Sequence, residues 1–197
     1  MHISYHTSLI PAMLEEVKHC IHVLKKGGTI LYPTDTIWGI GCDATNELAV
    51  KRVFEIKNRP SSKAMVILVA ELSQLEFYAS VPEVAWDLVE FAENPLTIVY
   101  PNAKGICKSL ISEDGTIAIR VVKDEFCKML INSLRKPLVS TSANLSGESS
   151  PAYFDEISEE IKGKIDYTVP LRQYETKKSQ PSRIIKLGMN GEIEIIR

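Results

Sequence analysis

The sequence predicts an α/β protein: a single domain over residues 1–197, built on a twisted sheet with parallel and antiparallel strands and flanked by helices. Short apolar runs typical of buried strands alternate with segments whose apolar residues recur at helical spacing. Near the end, two apolar runs flank the turn 188–191, which contains two glycines and predicts an antiparallel hairpin. At 197 residues and 45% hydrophobic content, the chain can bury one sizeable core.

The first third of the chain predicts two helices and two strands. Apolar residues at helical spacing predict a helix over 11–26, which ends at Gly27 and Gly28. A strand at 29–32 opens a polar loop that runs to about residue 46. A second helix over 47–57 leads into a basic turn, because Pro60 disfavours helix at the residue before it. The apolar run 64–69 predicts a buried strand.

The remaining elements follow from the same patterns. A short helix is expected at 73–78 and a longer one at 82–93, where Pro82 suits the first turn. Asp124 suits the start of a helix over 124–134 because carboxylates stabilise helix N-termini. Further strands are predicted at 96–100, 116–122, 138–140, 166–169, 182–187 and 192–196, and a further helix at 155–162.

Composition and charge exclude several classes of protein. The net charge of −2 gives no global basic field of the kind that dedicated nucleic-acid binders carry. The four cysteines contain no Cys-x-x-Cys pair, which argues against a zinc or redox motif and fits reduced thiols. The N-terminus lacks the features of a signal peptide, and no apolar run is long enough to span a bilayer. We expect a cytoplasmic protein with no membrane partner.

A polar stretch at the end of the first strand is the best candidate for a site. Residues 32–41 read Tyr-Pro-Thr-Asp-Thr-Ile-Trp-Gly-Ile-Gly, so Thr34, Asp35 and Thr36 follow the strand directly. Hydroxyls at a strand end, beside glycines that let backbone approach a ligand, suit a small-molecule site. Taken alone, the stretch is equally compatible with an ordinary loop.

Two further polar clusters could serve the same ligand. Lys57, Arg59 and Lys63 lie on the basic turn, where arginine can bind phosphate in two-pronged fashion and lysine as a point charge. A second strand end carries Ser140, Thr141, Ser142 and Asn144, whose hydroxyls and amide could hold phosphate oxygens; Arg120 and Ser182 are weaker additions. Each cluster alone is also typical of solvated turns and capping.

The four motifs together resemble the YrdC/TsaC family of threonylcarbamoyl-AMP synthases. Residues 32–41 resemble its Tyr-Pro-Thr-Asp/Glu-Thr-Val-Tyr-Gly-Leu-Gly block, and Lys57-x-Arg59-Pro60 its Lys-x-Arg-Pro signature. Residues 119–121 resemble its Val-Arg-Val strand, and 140–147 are similar to its Ser-x-Asn block. Departures from the family pattern are Trp38 in place of tyrosine, Arg183 in place of threonine, and 94–97 in place of Pro-Gly-Pro-x-Thr.

The resemblance implies a twisted sheet with a positively lined concave cleft, and a reaction. L-Threonine, bicarbonate and ATP would give L-threonylcarbamoyl-adenylate and pyrophosphate, with Mg²⁺ arriving on the ATP and no dedicated metal site in the protein. A threonylcarbamoyl-transferring partner complex would then modify tRNA. Lys57 and Arg59 are expected to be catalytic; ATP would be bound by Lys57, Arg59, Lys63, Ser140, Ser142, Asn144 and Ser182, and threonine by Thr34, Thr36 and Arg120.

Two other hypotheses remain open at this point. A non-catalytic RNA- or ribosome-associated module could use the same cleft, and its RNA affinity would fall steeply with salt. A carbamoyl-transfer relative acting on another acceptor is a third possibility. The low net charge disfavours the RNA module. The hydroxyls at Thr34 and Thr36 also disfavour it, because they would have no role in binding RNA.

Overall fold

A computed structural model describes residues 3–60, 65–176 and 180–197, with side chains described from residue 10 onward in the first segment. The helices are α1 (Ile3–Lys25), α2 (Glu47–Ile56), α3 (Leu75–Tyr78), α4 (Val84–Glu90), α5 (Glu125–Leu134) and α6 (Glu159–Lys162). The strands are β1 (Ile30–Tyr32), β2 (Gly39–Gly41), β3 (Val66–Val69), β4 (Leu96–Tyr100), β5 (Ile117–Val121), β6 (Leu138–Ser142), β7 (Tyr167–Thr168), β8 (Arg183–Leu187) and β9 (Ile193–Ile195).

The strands found in the described residues join in one mixed sheet, in the order β7-β1-β2-β6-β3-β5-β4-β8-β9. Parallel pairs are β1 with β7, β3 with β5 and β4 with β8, and the remaining neighbours are antiparallel. The predicted mixed α/β sheet is therefore confirmed, including the C-terminal hairpin of β8 and β9. Gly191 occupies the positive-φ position of that hairpin turn, at φ 81°.

Helices cover both faces of the sheet because its strands alternate their side chains between two apolar layers. In β3, Ile67 and Val69 belong to one layer and Leu68 to the other. One layer contains α2, with Val50, Val53 and Phe54 buried, and the other contains the buried faces of α1 and α5. Such burial contributes roughly 1.5–3 kcal/mol for each large apolar side chain.

Several boundaries differ from the prediction. The helix α1 begins at Ile3 and runs through Pro11, where the prediction started it. The predicted loop 33–46 contains strand β2, and β6 continues to Ser142 instead of ending at Ser140. The predicted helix 155–162 divides into a 3-10 turn at Phe154–Glu156 and the short α6. Within the ranges that the structure describes, no helix combines the length and apolarity needed to cross a membrane.

Candidate active site

The loop between β1 and β2 is closed by its own hydroxyl groups. The Thr34 hydroxyl donates to the carbonyl oxygen of Ile37 at 2.9 Å, and its oxygen accepts the Thr36 backbone N–H at 3.0 Å. The hydroxyl oxygens of Thr34 and Thr36 are 2.9 Å apart. Both side chains are buried, so these bonds satisfy groups that would otherwise destabilise the fold.

Arg120 extends from β5 to the same loop. One terminal nitrogen, Nη1, donates to the Thr36 hydroxyl oxygen at 3.0 Å, and Nη2 lies 3.1 Å from the Asp35 carboxylate. The Asp35 carboxylate also accepts the backbone N–H of Lys123 at 3.2 Å. Arg120 and Asp35 are nearly buried, with side chains 6% and 11% exposed. The charge in the middle of an apolar strand is therefore balanced inside the protein.

Lys57 lies at the C-cap of α2 and turns its ammonium group inward. It is 1% exposed, and its Nζ donates to the backbone carbonyl oxygens of Ser142 and Asn144. Burial, together with the nearby charge of Arg59, lowers the pKa of Lys57 to about 8. Asn58 takes the left-handed conformation at φ 48°, which turns the chain from Lys57 toward Arg59. The turn predicted after α2 is confirmed over residues 57–60.

The serine and asparagine cluster lies on β6 and just after it, where Lys57 binds the Ser142 carbonyl oxygen. Ser140 and Ser142 lie on β6 and border a cavity of about 310 Å³. The Asn144 side-chain amide donates to the carbonyl oxygens of Leu145 and Glu148, both at 2.8 Å, so it shapes the turn that follows. Its Oδ1 is buried without a hydrogen-bond partner among the described residues, which leaves an acceptor available beside the site.

The C-terminal hairpin supplies another wall. The Ser182 hydroxyl lies 2.8 Å from the Thr97 hydroxyl on β4, and both are buried. The Ser182 carbonyl oxygen accepts two bonds from the Arg197 guanidinium, from Nε at 3.2 Å and Nη2 at 3.1 Å. Burial, together with the nearby charge of Arg120, lowers the pKa of Arg197. Arg197 is thus a site residue that the sequence analysis did not single out.

These walls enclose one cavity and adjoin a second. The 310 Å³ cavity is bordered by Arg59, Arg120 and Arg197 and by the hydroxyl residues Thr36, Ser140, Thr141, Ser142 and Ser182. A neighbouring cavity of about 800 Å³ shares Thr36 and Pro181 with it and extends to Asp35 and Arg183. Three chain regions that are far apart in sequence therefore meet, as the ligand-site hypothesis requires.

The two glycines of β2 have different reasons to be glycine. A Cβ on Gly39 would lie 3.1 Å from the Ser140 hydroxyl oxygen, and Gly39 borders the cavity. A Cβ on Gly41 would lie 2.6 Å from Cε1 of Tyr32 and 2.7 Å from the Val139 carbonyl oxygen. The expectation that both let backbone approach a ligand fits Gly39. Gly41 is instead required by the packing of the Tyr32 ring.

The structure thus brings together most of the residues expected to bind threonine and ATP. Thr36, Arg120, Arg59, Ser140, Ser142 and Ser182 border the smaller cavity. Thr34 and Lys57 do not border it but bond to Thr36 and to the Ser142 backbone, which do, and Asn144 lies just after β6. Lys63 lies outside the described residues. The pairing of Asp35 with Arg120 was not anticipated, because it depends on how the loop packs against β5.

Comparisons with known proteins show the family and the fold of this chain. Residues 22–197 match the Sua5/YciO/YrdC family, which carries the description "Telomere recombination". The chain belongs to the Sua5/YciO/YrdC family. A threonylcarbamoyl-AMP synthase of Pseudoalteromonas translucida (strain TAC 125) is 38% identical over 179 residues, which cover 88% of this chain and 93% of that protein.

Solved Sua5 structures share the fold. The H234A/Y235A variant of P. abyssi Sua5 is 31% identical, with a TM-score of 0.83 over 92% of this chain and 55% of that one. P. abyssi Sua5 complexed with L-threonine is 30% identical, with a TM-score of 0.77 over 87% of this chain and 50% of that one. The chain therefore spans about half the length of these Sua5 proteins and matches their Sua5/YciO/YrdC portion.

Proposed function

We propose that the protein synthesises L-threonylcarbamoyl-adenylate from L-threonine, bicarbonate and ATP, with release of pyrophosphate. The observation that carries the proposal is the meeting of two chemically distinct walls on one cavity: the threonine-rich loop with Arg120, and the serine strand with Arg59. The 38% identity to a threonylcarbamoyl-AMP synthase over nearly all of that protein supports it. The Sua5 relative complexed with L-threonine supports an amino-acid substrate.

ATP would occupy the side formed by the basic turn and β6. Arg59 borders the cavity, and its guanidinium matches the geometry of phosphate oxygens. The hydroxyls of Ser140, Ser142 and Ser182 would donate to phosphate oxygens, and Asn144 would orient the nucleotide from behind. Lys57 contributes its charge and holds the Ser142–Asn144 backbone in place. Lys63, in the same sequence motif, is proposed to join this phosphate-binding set.

Threonine would occupy the opposite side, against the loop that holds Thr34 and Thr36. Thr36 borders both cavities, whereas Thr34 is 2% exposed and supports it from behind. Arg120 connects this side to the sheet through its bond to Thr36. The amino acid and the nucleotide would then face each other across a space small enough to hold the reacting groups in contact.

The chemistry requires two bond-forming steps. The threonine amine would attack the carbon of bicarbonate, forming a carbamate with loss of water. A carbamate oxygen would then attack the α-phosphorus of ATP, and the bond to the bridging oxygen of the leaving pyrophosphate would break. Negative charge grows on that pyrophosphate, so Arg59 and Lys57 would stabilise the transition state as catalytic residues. No covalent enzyme intermediate is needed.

Mg²⁺ is proposed to enter with ATP. In the part of the chain that the structure describes, no group of three or more His, Cys, Asp or Glu side chains is placed to hold a metal ion. The cation would therefore be held by phosphate oxygens and water, as Mg²⁺ commonly is in nucleotide enzymes. It would neutralise part of the phosphate charge, and the protein would supply the arginine and hydroxyl contacts.

The product implies a following group transfer. A threonylcarbamoyl-adenylate is a mixed anhydride, so an acceptor nucleophile must take the threonylcarbamoyl group and release AMP. We propose that a transferring enzyme complex uses it to make threonylcarbamoyladenosine in tRNA, and that both steps take place in the cytoplasm. Direct contact of this chain with tRNA is a further proposal, for which the larger adjoining cavity offers space.

Pyrophosphate release tests the proposed reaction. Purified protein should release pyrophosphate from ATP only when L-threonine and bicarbonate are both present. Arg59→Ala should lower kcat/KM for ATP by about 100-fold or more, because it removes a charge that stabilises the transition state. Lys51→Ala is the matched control, since Lys51 is an exposed cation on α2 whose ion pair is with Glu47.

Different results would contradict the proposed reaction or the role of Arg59. Release of pyrophosphate without threonine, or no release by folded protein with all three substrates, would overturn the synthase assignment. If Arg59→Ala lowers the melting temperature by as much as a core substitution, Arg59 is structural instead of catalytic. A loss of activity in Lys51→Ala of the same size would show that the assay responds to net charge alone.

A further inference from the structure

Strand β9 is last in the order of the sheet, and no other strand of the described residues pairs with its outer edge. Its inner edge pairs with β8 in a register that places Glu194 opposite Lys186. The Ile196 N–H donates to the Ile184 carbonyl oxygen at 2.9 Å, two residues beyond that pair. Because backbone bonds in an antiparallel ladder recur at every second residue, Glu194 turns its own N–H and C=O toward β8.

The backbone groups of the residues on either side of Glu194 consequently point outward. Ile193 and Ile195 each offer one N–H and one C=O at this edge, in the alternation that an added strand would match. Their side chains are exposed as well, Ile193 to 53% and Ile195 to 79%. They share a face with their β8 partners Leu187 and Ile185, which contribute to the apolar layer that contains α2. The two isoleucines therefore extend this apolar face to the edge of the sheet.

The opposite face of β9 is acidic. Glu194 projects there because side chains alternate along a strand, and it is exposed. Lys186, its partner on β8, binds the Asp114 carboxylate at 2.6 Å. Asp114 also contributes more than Glu194 to raising the pKa of Lys186. An incoming strand would thus meet an exposed carboxylate between two apolar side chains.

We propose that β9 is a docking edge for an extended segment of a partner protein in which a lysine or arginine lies between two apolar residues. The segment would extend the sheet by one strand, with its backbone bonded to Ile193 and Ile195. Its apolar side chains would cover these isoleucines, and its basic side chain would face Glu194. None of the three residues borders either cavity described above, so the proposal is independent of the proposed reaction.

A second copy of this chain fits the same edge less well. Only one symmetric antiparallel register would pair Ile193 of each copy with Ile195 of the other. In that register each Glu194 lies opposite its counterpart, in a pair without backbone bonds whose Cα atoms are only about 4.5 Å apart. Like charges directly opposite each other destabilise the pairing of strands. The charge of β9 therefore favours a different, basic partner.

Binding of two synthetic peptides tests the proposal. Both are blocked at their ends and fluorescently labelled; valine alternates with lysine in one and with glutamate in the other. Fluorescence anisotropy should show binding of the lysine peptide at least tenfold tighter than that of the glutamate peptide. Ile195→Lys should weaken the lysine peptide about tenfold, because it removes apolar contact and adds a like charge. Leu48→Lys is the matched control, since Leu48 is also 79% exposed but lies on α2.

Charge reversal separates docking from general electrostatic attraction. Glu194→Lys should remove the preference for the lysine peptide, because the basic side chains would then face a like charge. Glu55→Lys makes the same change of charge at an exposed position of α2 and should leave the preference intact.

Amide hydrogen exchange locates the bound peptide. The N–H groups of Ile193 and Ile195 should become protected when the lysine peptide binds. The Glu194 N–H is already bonded to β8, so its protection should change little.

Several outcomes would overturn the proposal. These are no binding of the lysine peptide, equal affinity for the two peptides, or a loss in Leu48→Lys as large as that in Ile195→Lys. A wild-type dimer that Ile195→Lys dissociates in sedimentation would also overturn it, because a second copy would then occupy the edge. Melting temperatures report whether the variants are folded, and Ile193→Lys repeats the test at the same edge if Ile195→Lys is not.

Discussion

At the scale of single residues, Lys57 affects both the stability of the site and the charge that it presents to a ligand. Its ammonium group is buried and bound to two backbone carbonyl oxygens of the segment that carries Ser142 and Asn144. Burying a charge costs free energy unless hydrogen bonds and a nearby anion compensate it. The lowered pKa, about 8, reflects that cost in the protein without ATP. A bound polyphosphate would supply the missing anion and raise the pKa again.

The activity should therefore depend on the protonation of Lys57. We expect kcat/KM for ATP to fall about tenfold per pH unit as the pH rises above about 8, because the neutral amine no longer attracts phosphate. The decline in kcat should begin at higher pH, since bound ATP stabilises the ammonium form. Initial rates between pH 6.5 and 10 would measure both profiles.

Unfolding measured over the same range provides the control. The folded pKa lies below the ordinary lysine value of 10.5, so the unfolded chain binds more protons between about pH 8 and 10.5. The contribution of Lys57 to the free energy of unfolding thus rises with pH in that window. Lys57→Met should remove this rise. A kcat/KM profile flat to pH 10 would contradict the role of the ammonium group.

At the scale of elements, the three-residue strand β2 determines how closely the loop between β1 and β2 approaches β6. Gly41 has no room for a side chain, because Tyr32 and the Val139 carbonyl oxygen lie against its Cα. Gly39, two residues earlier, faces the cavity beside Ser140. One short strand therefore contains one glycine required for packing and one positioned to affect the ligand.

Alanine at the two glycines should separate stability from binding. Gly41→Ala should lower the free energy of unfolding by about 1–3 kcal/mol, because the added methyl group overlaps fixed backbone. Gly39→Ala should change stability by less, since the Ser140 hydroxyl can shift, but it should weaken nucleotide binding. Denaturant unfolding and ATP titration of both variants would test the pair. Unchanged ATP affinity in Gly39→Ala would contradict the role of Gly39 beside the ligand.

The predictability of each element followed the strength of its local signal. Helix α5 was predicted closely because Asp124 caps it and its apolar residues recur at helical spacing. Strand β2 was missed because it is three residues long and begins and ends with glycine, which strands disfavour. The geometry of the Lys57–Arg59 turn could be predicted from Pro60, a local constraint.

Site residues that belong to no local sequence motif could not be predicted from the sequence. Arg197 is a single arginine after the last strand, and only the hairpin carries it to Ser182. Asp35 was visible as part of a polar triplet, but its partner Arg120 is 85 residues away in sequence (120 − 35). Such contacts are set by strand order and packing, which hydrophobic periodicity does not encode.

At the scale of the whole molecule, the cavity lies where both halves of the sheet meet. Strand β6 pairs with β2 on one side and with β3 on the other. It therefore joins the strand that follows the Thr34–Thr36 loop to the part of the sheet that contains Arg120 and the C-terminal hairpin. A ligand that contacts β2, β5, β6 and the segment preceding β8 would therefore connect distant parts of the chain. Its binding stabilises the folded state by an amount that grows with the ratio of ligand concentration to Kd.

ATP should accordingly protect the whole protein against heat. At a concentration 100 times its Kd, a ligand contributes about 2.7 kcal/mol, which corresponds to a rise in Tm of about 5–10 °C for a chain of this length. The shift should shrink as salt increases, because the lining arginines are screened. Thermal scans of wild type and Arg59→Ala would measure it. A shift retained in Arg59→Ala would place the nucleotide elsewhere.

The order of the strands also bears on how the chain folds. Strand β1 pairs with β7 through Ile30 and Tyr167, and β4 pairs with β8 through Leu96 and Arg183, so the sheet is closed by contacts between distant segments. Proteins dominated by such contacts fold more slowly than those built from local ones, because each long loop must close before its contacts form. Helices α2 and α5 can form early from local interactions. The cavity is complete only after β8 reaches β4, so a chain whose C-terminal hairpin has not yet paired lacks the wall formed by Ser182 and Arg197.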